Sequence, residues 1–344
     1  MHLVYLVHNL ASMKGLSVRV IDGSSILITG GTGSFGSSFL KRTLAKSDPK
    51  RVVIFSRDEL KQYELRQLIG DDSRVRFFIG DIRDRDRLEL ALRGIDYVIH
   101  TAALKRVDTA EYNPMEYVKT NILGSENVIR ASIEAGVKKI IALSTDKASS
   151  PINLYGATKL TSDKLFISSN HYSAGFETRM SVVRYGNVMG SRGSVIPFFR
   201  KLALRGDPLP ITDERMTRFW ITLPEAVDFV IQALDSMRGG ELFVPRIPSM
   251  RVVDLAEAVA PGAPTLITGI RPGEKLHAEM ISVEDAPRTI QDTDHYTVLP
   301  TVAEWDYHRP AGELVPEGFS YTSDTNDHWL SVDDLRSTLE SLGI

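Results

Sequence analysis

Five polar residues between positions 145 and 159 have the types and the spacing needed for proton transfer. Thr145, Asp146 and Lys147 follow one another directly, and Tyr155 and Lys159 stand four residues apart. On a helix, residues spaced i, i+4 point to the same face. A lysine ammonium beside a phenol favours the phenolate, so we expect Lys159 to lower the pKa of Tyr155. Such a tyrosine can take a proton from a hydroxyl while hydride leaves the same carbon.

The adjacent acid and base form a second proton-transfer pair. A lysine that acts as a base must be neutral, whereas Asp146 tends to raise the pKa of Lys147, so the two titrate as a coupled pair. A protonated Asp146 can donate to a leaving hydroxyl, and Lys147 can deliver a proton to carbon. The alternatives are a surface turn for the pair and a helix cap or turn for Thr145. We favour the chemistry because the pair follows an apolar strand, where open α/β sheets bind ligands.

Short apolar runs alternate with helical periods from residue 25 onward. Such runs suit strands that are buried on both faces of a parallel sheet. The alternation therefore predicts an α/β fold, a Rossmann-type doubly wound parallel sheet. The predicted strands are 25–29, 51–55, 75–79, 97–100, 139–143 and 181–185, and the predicted helices are 34–46, 58–69, 85–92, 115–135 and 154–170.

The regular alternation of strands and helices ends after about Asn187. Amphipathic helices are predicted at 223–237 and 251–260, and strands at 241–245 and 265–270. This pattern indicates a smaller α/β substrate-binding lobe. The expected division is an N-terminal extension at 1–22, a cofactor-binding Rossmann domain at 23–187 and the substrate lobe at 188–344, with the chain free to cross back between lobes.

The composition limits the kinds of protein and of functional site that this chain can form. The chain has 344 residues, of which 42% are hydrophobic and 25% charged, and its net charge is -3. These values are ordinary for a globular protein with a sizeable core, and they give no bulk attraction to nucleic acid or acidic membranes. The absence of cysteine excludes disulfides, thiolate metal sites and a cysteine nucleophile. We expect no metal, no nucleic-acid partner and a cytoplasmic location.

The first twenty residues contain a short apolar stretch. It runs from Leu3 to Val7 and is broken by His8 and Asn9. This stretch is too short to span a bilayer and has no basic flank before it, so we expect no membrane association. A disordered extension, or a start site placed too early, fits it better than a signal peptide.

A glycine-rich turn follows the first predicted strand and opens the first predicted helix. Gly30, Gly33 and Gly36 form a G-x-x-G-x-x-G frame within "ILITGGTGSFGSSFLKR". Glycines there permit a tight turn and a close approach of the backbone to a pyrophosphate, which the helix N-terminus binds. In this strand-turn-helix context we favour a dinucleotide site over an ordinary turn. Its predicted contacts are Gly30, Thr32, Gly33, Ser34, Phe35 and Gly36.

The end of the second strand bears on the choice of cofactor. An NAD-binding domain usually has an acid at this point, where it grips the ribose 2′-hydroxyl. Here Ser56 and Arg57 occupy the position, and an arginine can pair with a 2′-phosphate, so we predict NADP rather than NAD. Further predicted cofactor contacts are Asp81 and Ile82 at the adenine edge, Ala102 and Ala103 where a strand ends in small residues, and Tyr155 and Lys159. A turn residue remains the alternative for Asp81.

These motifs together resemble the extended short-chain dehydrogenase/reductase family. Within that family the chain resembles the inverting UDP-N-acetylglucosamine 4,6-dehydratases, including the enzymes that open pseudaminic acid biosynthesis. The likeness is carried by "ITGGTGSFG", "SRDELKQ", "ALSTDKA", "NLYGATKLTSDKLF", "RYGNVMGSRGSVIPFF" and "GIRPGEKLHAEMIS" and spans residues 24–335. Retaining 4,6-dehydratases have Thr-Asp-Glu where this chain has Thr-Asp-Lys. Relatives that also epimerise typically have methionine in place of the tyrosine.

The resemblance implies roles for individual residues. Thr145, Tyr155 and Lys159 would handle oxidation and reduction at C4, while Asp146 and Lys147 would handle elimination and C5 reprotonation. Lys105, Asn187, Arg271 and Glu274 would bind the substrate. A surface lysine remains the alternative for Lys105, and a salt bridge within the lobe for Arg271 and Glu274. The first twenty residues and residues 286–305 depart from the family pattern.

The resemblance also implies a reaction. UDP-N-acetylglucosamine would lose water to give UDP-2-acetamido-2,6-dideoxy-beta-L-arabino-hexos-4-ulose, a first step towards pseudaminic acid or a related surface sugar. The cofactor would be a tightly bound, recycled NADP, and the enzyme a soluble homo-oligomer, either a dimer or a hexamer. The alternatives are a UDP-N-acetylglucosamine epimerase, a dehydratase that also epimerises, and a non-catalytic NADP-sensing protein.

Overall fold

A large, mostly parallel sheet organises the molecule. The structure is a computed structural model that describes residues 20–173, 177–191 and 194–344. In these ranges seven strands run parallel in the order β3-β2-β1-β4-β5-β6-β10, and β15, β14 and β16 continue the sheet antiparallel. The strands are β1 Ser25–Thr29, β2 Arg51–Ser56, β3 Val75–Ile79, β4 Tyr97–His100, β5 Lys139–Leu143, β6 Arg179–Val183, β10 Leu242–Pro245, β14 Thr289–Gln291, β15 His295–Val298 and β16 Glu313–Leu314.

Helices connect these strands and pack on the sheet. Helix α1 packs against α9, with Arg42 paired to Asp228 across them, and α6 packs against both α3 and α7. The helices are α1 Ser34–Lys46, α2 Glu59–Ile69, α3 Arg85–Ala91, α4 Val107–Tyr112, α5 Pro114–Tyr117, α6 Gly124–Glu134, α7 Leu154–Tyr172, α8 Val195–Ala203, α9 Leu223–Ser236, α10 Val252–Val259 and α11 Val332–Ser341. This arrangement confirms the predicted Rossmann-type doubly wound fold.

Smaller sheets stand beside the large one. A three-stranded sheet has the order β11-β9-β7, and two pairs join β12 to β8 and β13 to β17. These strands are β7 Asn187–Val188, β8 Leu209–Ile211, β9 Thr217–Ile221, β11 Ser249–Arg251, β12 Thr265–Ile267, β13 Glu279–Ile281 and β17 Tyr321–Thr322. A separate apolar cluster around Ile196, Trp220 and Leu335 packs this part of the chain. Strands β10 and β14 to β16 nevertheless return to the large sheet.

Three elements differ from their predicted form, one of which is the strand predicted at 265–270, which ends at Ile267. The single helix predicted at 115–135 is divided by a π-helical turn, Val118–Leu123. This turn brings Asn121 to the backbone of Leu104, where its side chain accepts from the amide at 2.8 Å and donates to the carbonyl at 2.9 Å. Strand β6 begins and ends two residues earlier than predicted, because it is registered on β5 from Lys139–Arg179 to Leu143–Val183.

The predicted N-terminal extension falls mostly outside the described residues. Residues 1–19 are not described, whereas Ile21 is fully buried in the main core and its carbonyl accepts a hydrogen bond from Ser24. Across the described residues, no helix combines the length and the apolar character that a membrane crossing demands.

Candidate active site

A cavity of about 740 Å³ opens at the carboxyl ends of the parallel strands. This is the edge at which open α/β sheets bind ligands. Its wall contains the five predicted catalytic residues, Thr145, Asp146, Lys147, Tyr155 and Lys159. It also contains the predicted cofactor contacts Gly30, Thr32, Gly33, Ser34, Phe35, Ser56, Arg57, Asp81, Ile82, Ala102 and Ala103, together with Lys105 and Asn187.

The glycine turn forms one side of this cavity. Gly30 has φ +63, and a Cβ there would lie 2.9 Å from Ala102 Cα, so a side chain would be strained and would clash. Helix α1 starts at Ser34 behind Gly33, which offers no side-chain cap to the first-turn N–H groups. Gly36 does not line the cavity. A Cβ there would meet Gly31 Cα at 2.6 Å, so its role is close packing of the helix on the turn.

The turn and the end of β2 are joined by side chains. The Thr32 and Ser56 hydroxyls hydrogen-bond at 2.8 Å, which ties the glycine turn to the second strand. Arg57 has a half-exposed side chain and lies 3.4 Å from Asp81. Asp81 in turn accepts from Arg83 at 2.7 Å, and these neighbours keep its pKa low despite partial burial. The cavity therefore has a guanidinium at the point where an acid would favour NAD.

Tyr155 and Lys159 lie on the first two turns of α7, which starts at Leu154. Asn153 caps this helix by accepting from Gly156 N at 2.7 Å. Lys159 is almost fully buried and donates to the Leu143 carbonyl at 2.7 Å. The helix thus presents both side chains to the end of β5, as the i, i+4 spacing predicts.

The pKa of Tyr155 differs from the sequence expectation. Burial raises the pKa of Tyr155 above its ordinary value and the nearby Asp146 carboxylate raises it further, while the neighbouring Thr145 hydroxyl lowers it only in part. Lys159 is itself buried, which lowers its pKa, although Asp163 opposes that shift. The expected lowering of the Tyr155 pKa by Lys159 is therefore not seen, because desolvation of the phenol dominates.

Asp146 and Lys147 form a direct ion pair in a short 3-10 turn. Lys147 Nζ donates to the two carboxylate oxygens of Asp146 at 3.1 and 3.2 Å, and Thr145 donates its hydroxyl at 2.9 Å. Burial acts to raise the pKa of Asp146, but Lys147, Thr145 and Arg218 together bring it below its ordinary value. The ion pair with Lys147 therefore favours the carboxylate form of Asp146, whereas the sequence left the protonation of the coupled pair open.

The predicted substrate residues are divided between two environments. Lys105 is an exposed residue on the cavity wall, where partial desolvation by the surrounding wall and the charge of Lys147 lower its pKa. Asn187 also lines the cavity, and its buried Oδ1 has no hydrogen-bond partner among the described residues. Arg271 is exposed and lies outside the cavity wall. Glu274 also lies outside it and accepts from Arg218 at 3.4 Å, which is the lobe salt bridge kept as the alternative.

Sequence reasoning missed three charged residues that bear on this site. Arg218 is 9% exposed, and its charge helps to hold the pKa of Asp146 down. Lys275 and Glu279 both contact the turn that carries Lys147. Arg218 lies in "MTRFWIT", and Lys275 and Glu279 lie in "GEKLHAEMIS", but no local pattern in either segment predicts a contact with residues 145–150.

The amino-acid sequence is similar to those of known nucleotide-sugar enzymes. A family model described as "Polysaccharide biosynthesis protein" matches residues 26–300. Two curated Campylobacter jejuni proteins named UDP-N-acetylglucosamine 4,6-dehydratase (inverting) are each 52% identical over 325 residues, covering 92% of this chain and 97% of theirs. A curated UDP-glucose 4-epimerase of Rickettsia prowazekii is 43% identical over 283 residues, covering 80% of this chain and 82% of its own.

Solved structures share the same architecture. The X-ray structure of Pen from Bacillus thuringiensis superposes with a TM-score of 0.87 at 36% identity, covering 94% of this chain and 99% of its own. DesIV from Streptomyces venezuelae, a dTDP-glucose 4,6-dehydratase with NAD and TYD bound, gives a TM-score of 0.66 at 25% identity, covering 73% of this chain and 86% of its own. Both confirm the predicted fold class.

Proposed function

The chain belongs to the polysaccharide biosynthesis protein family, and from that premise we propose that it is a C5-inverting UDP-N-acetylglucosamine 4,6-dehydratase. One observation carries the proposal: the Asp146–Lys147 ion pair shares a single cavity wall with Tyr155, Lys159 and the glycine turn. A simple hydroxyl oxidation needs only the tyrosine, the lysine and a nicotinamide. The additional acid-base pair supplies what elimination requires.

The residues present fit a nicotinamide dinucleotide. Gly30 and Gly33 leave room for a pyrophosphate at the start of α1, while Ala102 and Ala103 allow close approach at the end of β4. Ser56 and Arg57 favour NADP over NAD, since the guanidinium can pair with a 2′-phosphate. When bound, the nicotinamide would supply reversible hydride transfer from C4 to C6 of the sugar, with no net change in the cofactor.

Tyr155 is proposed to accept the proton of the C4 hydroxyl. Burial keeps it a neutral phenol at rest, so its deprotonation requires positive charge nearby. Lys159 is one such charge, and an oxidised nicotinamide carries another. Thr145 lines the same cavity wall and donates its hydroxyl to Asp146, and it is placed to orient the same C4 hydroxyl of the substrate.

Asp146 and Lys147 are proposed to perform the elimination. The C4 ketone acidifies the hydrogen on C5. Asp146, ionised at rest, takes that proton and passes it to the departing 6-hydroxyl, so that one water leaves and the carboxylate is restored. Lys147 then gives a proton to the opposite face of C5, and the proton held by Tyr155 returns the lysine to its ammonium form. Delivery to the opposite face inverts C5.

Incubation of the purified protein with UDP-N-acetylglucosamine, without added cofactor, tests the proposal. Mass spectrometry should show the loss of one water from the sugar nucleotide, since a retained cofactor is recycled within each turnover. The 43% identity to curated UDP-glucose 4-epimerases keeps epimerisation as a second candidate. A product of unchanged mass with an inverted C4 would establish that activity in place of the first.

A further inference from the structure

The turn that carries Lys147 contains an unfavourable backbone conformation. Ser150 has φ +38, and it is the one non-glycine residue with positive φ among those that the structure describes. The left-handed region is disfavoured for residues with a Cβ, and such a conformation persists only where surrounding contacts enforce it. Ser150 lies three residues after Lys147, so whatever enforces its conformation also fixes the path of the catalytic turn.

Glu279 provides the enforcing contacts. Its Oε1 accepts hydrogen bonds from the hydroxyls of Ser149, at 2.7 Å, and Ser150, at 2.6 Å. Glu279 is the first residue of β13, and the next residue of that strand, Met280, accepts from the buried Arg184 at 3.0 Å through its carbonyl. The carboxylate is therefore presented from a strand that is itself anchored.

Two further contacts join the same segments. Lys275 Nζ donates to the Ser149 carbonyl at 2.6 Å, and Asn153 Nδ2 donates to the Gly273 carbonyl at 2.8 Å. Residues 273–279 thus hold residues 149–153 at three points. We call this set of contacts the clasp.

The opposite side of the turn is fixed by helix α7. A Cβ on Gly156 would lie only 2.1 Å from the Lys147 carbonyl oxygen, so this helix packs directly on the backbone of the catalytic lysine. The turn is therefore confined between α7 and the clasp. Loss of one side would leave the turn free to relax away from the strained Ser150 conformation.

We propose that Glu279 is a positioning residue that holds the strained turn at Ser150 and so sets where the Asp146–Lys147 pair meets the substrate. The inference rests on the proposed dehydratase function. Glu279 is outside the cavity wall and touches no predicted reacting group. Its effect should therefore fall on elimination and C5 protonation, and only slightly on the C4 oxidation that Tyr155 and Lys159 perform from α7.

The test compares two rates in Glu279→Ala. Single-turnover absorbance of the reduced nicotinamide reports C4 oxidation, and mass spectrometry reports the loss of water from UDP-N-acetylglucosamine. We expect water loss to fall about 30-fold, within the range that misplacement of a catalytic group by about 1 Å produces. C4 oxidation should stay within about threefold, so that the reduced nicotinamide accumulates. An equal fall in both rates, or no fall in either, would overturn the proposal.

Two companion variants make the outcome decisive. Glu279→Gln keeps an oxygen acceptor for the two serines and should recover most of the water-loss rate. It therefore tests the proposal even if Glu279→Ala folds poorly. Failure of that rescue would count against the clasp. Glu284→Gln, at an exposed carboxylate five residues further on, should behave as wild type. If the wild-type protein releases no water, the proposed function fails. If wild type and Glu279→Ala release it equally, only the clasp fails.

Discussion

The two sides of the cavity are built in different ways. The phosphate-binding part of the cofactor side is a continuous segment in which β1, the glycine turn and α1 follow one another within residues 25–46. The elimination side is a short turn at 145–150 whose position depends on Glu279, 130 positions further along the chain. The first is defined by local backbone requirements, whereas the second is defined by contacts between distant segments. We expect substitutions on the two sides to affect different steps.

Tyr155→Phe should have the largest effect, because oxidation at C4 precedes every other step. Loss of the phenol hydroxyl removes the proton acceptor, for which a reduction of about 10²–10⁴-fold is expected. Both nicotinamide reduction and water loss should fall by this factor. Tyr112→Phe, at a side chain that is 88% exposed, is the matched control. Retained C4 oxidation in Tyr155→Phe would remove the tyrosine from the redox step.

Lys147→Met should impair the steps that follow C4 oxidation and leave C4 oxidation itself intact. The variant keeps the length of the side chain but loses its proton, so formation of the 4-keto-6-deoxy product should fall about 100-fold. C4 oxidation should persist, since the Tyr155 and Lys159 side chains are presented by α7. Single-turnover absorbance and product mass measure the two steps, and Lys41→Met on the exposed face of α1 is the control. If Lys147→Met lost C4 oxidation as well as product formation, the two sides of the cavity would not act on separate steps.

Arg57→Ala tests the cofactor side alone. The exposed guanidinium is proposed to pair with a 2′-phosphate, a charged contact whose removal weakens NADP binding about tenfold. Affinity for NAD should be unchanged. Titration calorimetry on protein stripped of cofactor gives both constants. An equal loss of affinity for NADP and NAD would show that Arg57 does not contact the 2′-phosphate.

Asp163→Asn changes a carboxylate near Lys159 and should have the smallest effect on kcat at neutral pH. Asp163 accepts from Ser144 at 2.6 Å and from Arg184 at 3.3 Å, and its charge raises the pKa of Lys159 against the lowering caused by burial. Removing that charge lowers the Lys159 pKa, so the required ammonium is lost at a lower pH. The alkaline limb of the kcat profile should therefore move to lower pH. An unmoved alkaline limb would contradict this reading.

The same contrast explains what the sequence could predict. The glycine turn, the five parallel strands β1 to β5 and the Tyr155–Lys159 pair follow from local periodicity and spacing, and the structure places them as expected. The low pKa of Asp146 comes mainly from its neighbours Lys147 and Thr145, but the further effect of Arg218 could not be predicted, because Arg218 acts from β9, beyond the range of any local pattern. The pairing of Glu274 with Arg218, and the clasp formed by Lys275 and Glu279, likewise arise only once the chain is folded.

The most direct test of the account is the stereochemistry at C5. Turnover of UDP-N-acetylglucosamine in deuterated water, followed by NMR of the product, reports both the proton source and the face of protonation. The account predicts a 4-keto-6-deoxy sugar with deuterium at C5 and the inverted ring configuration, since Lys147 delivers a solvent-exchanged proton to the opposite face. A product with retained configuration at C5, or one that still carries the 6-hydroxyl, would contradict it.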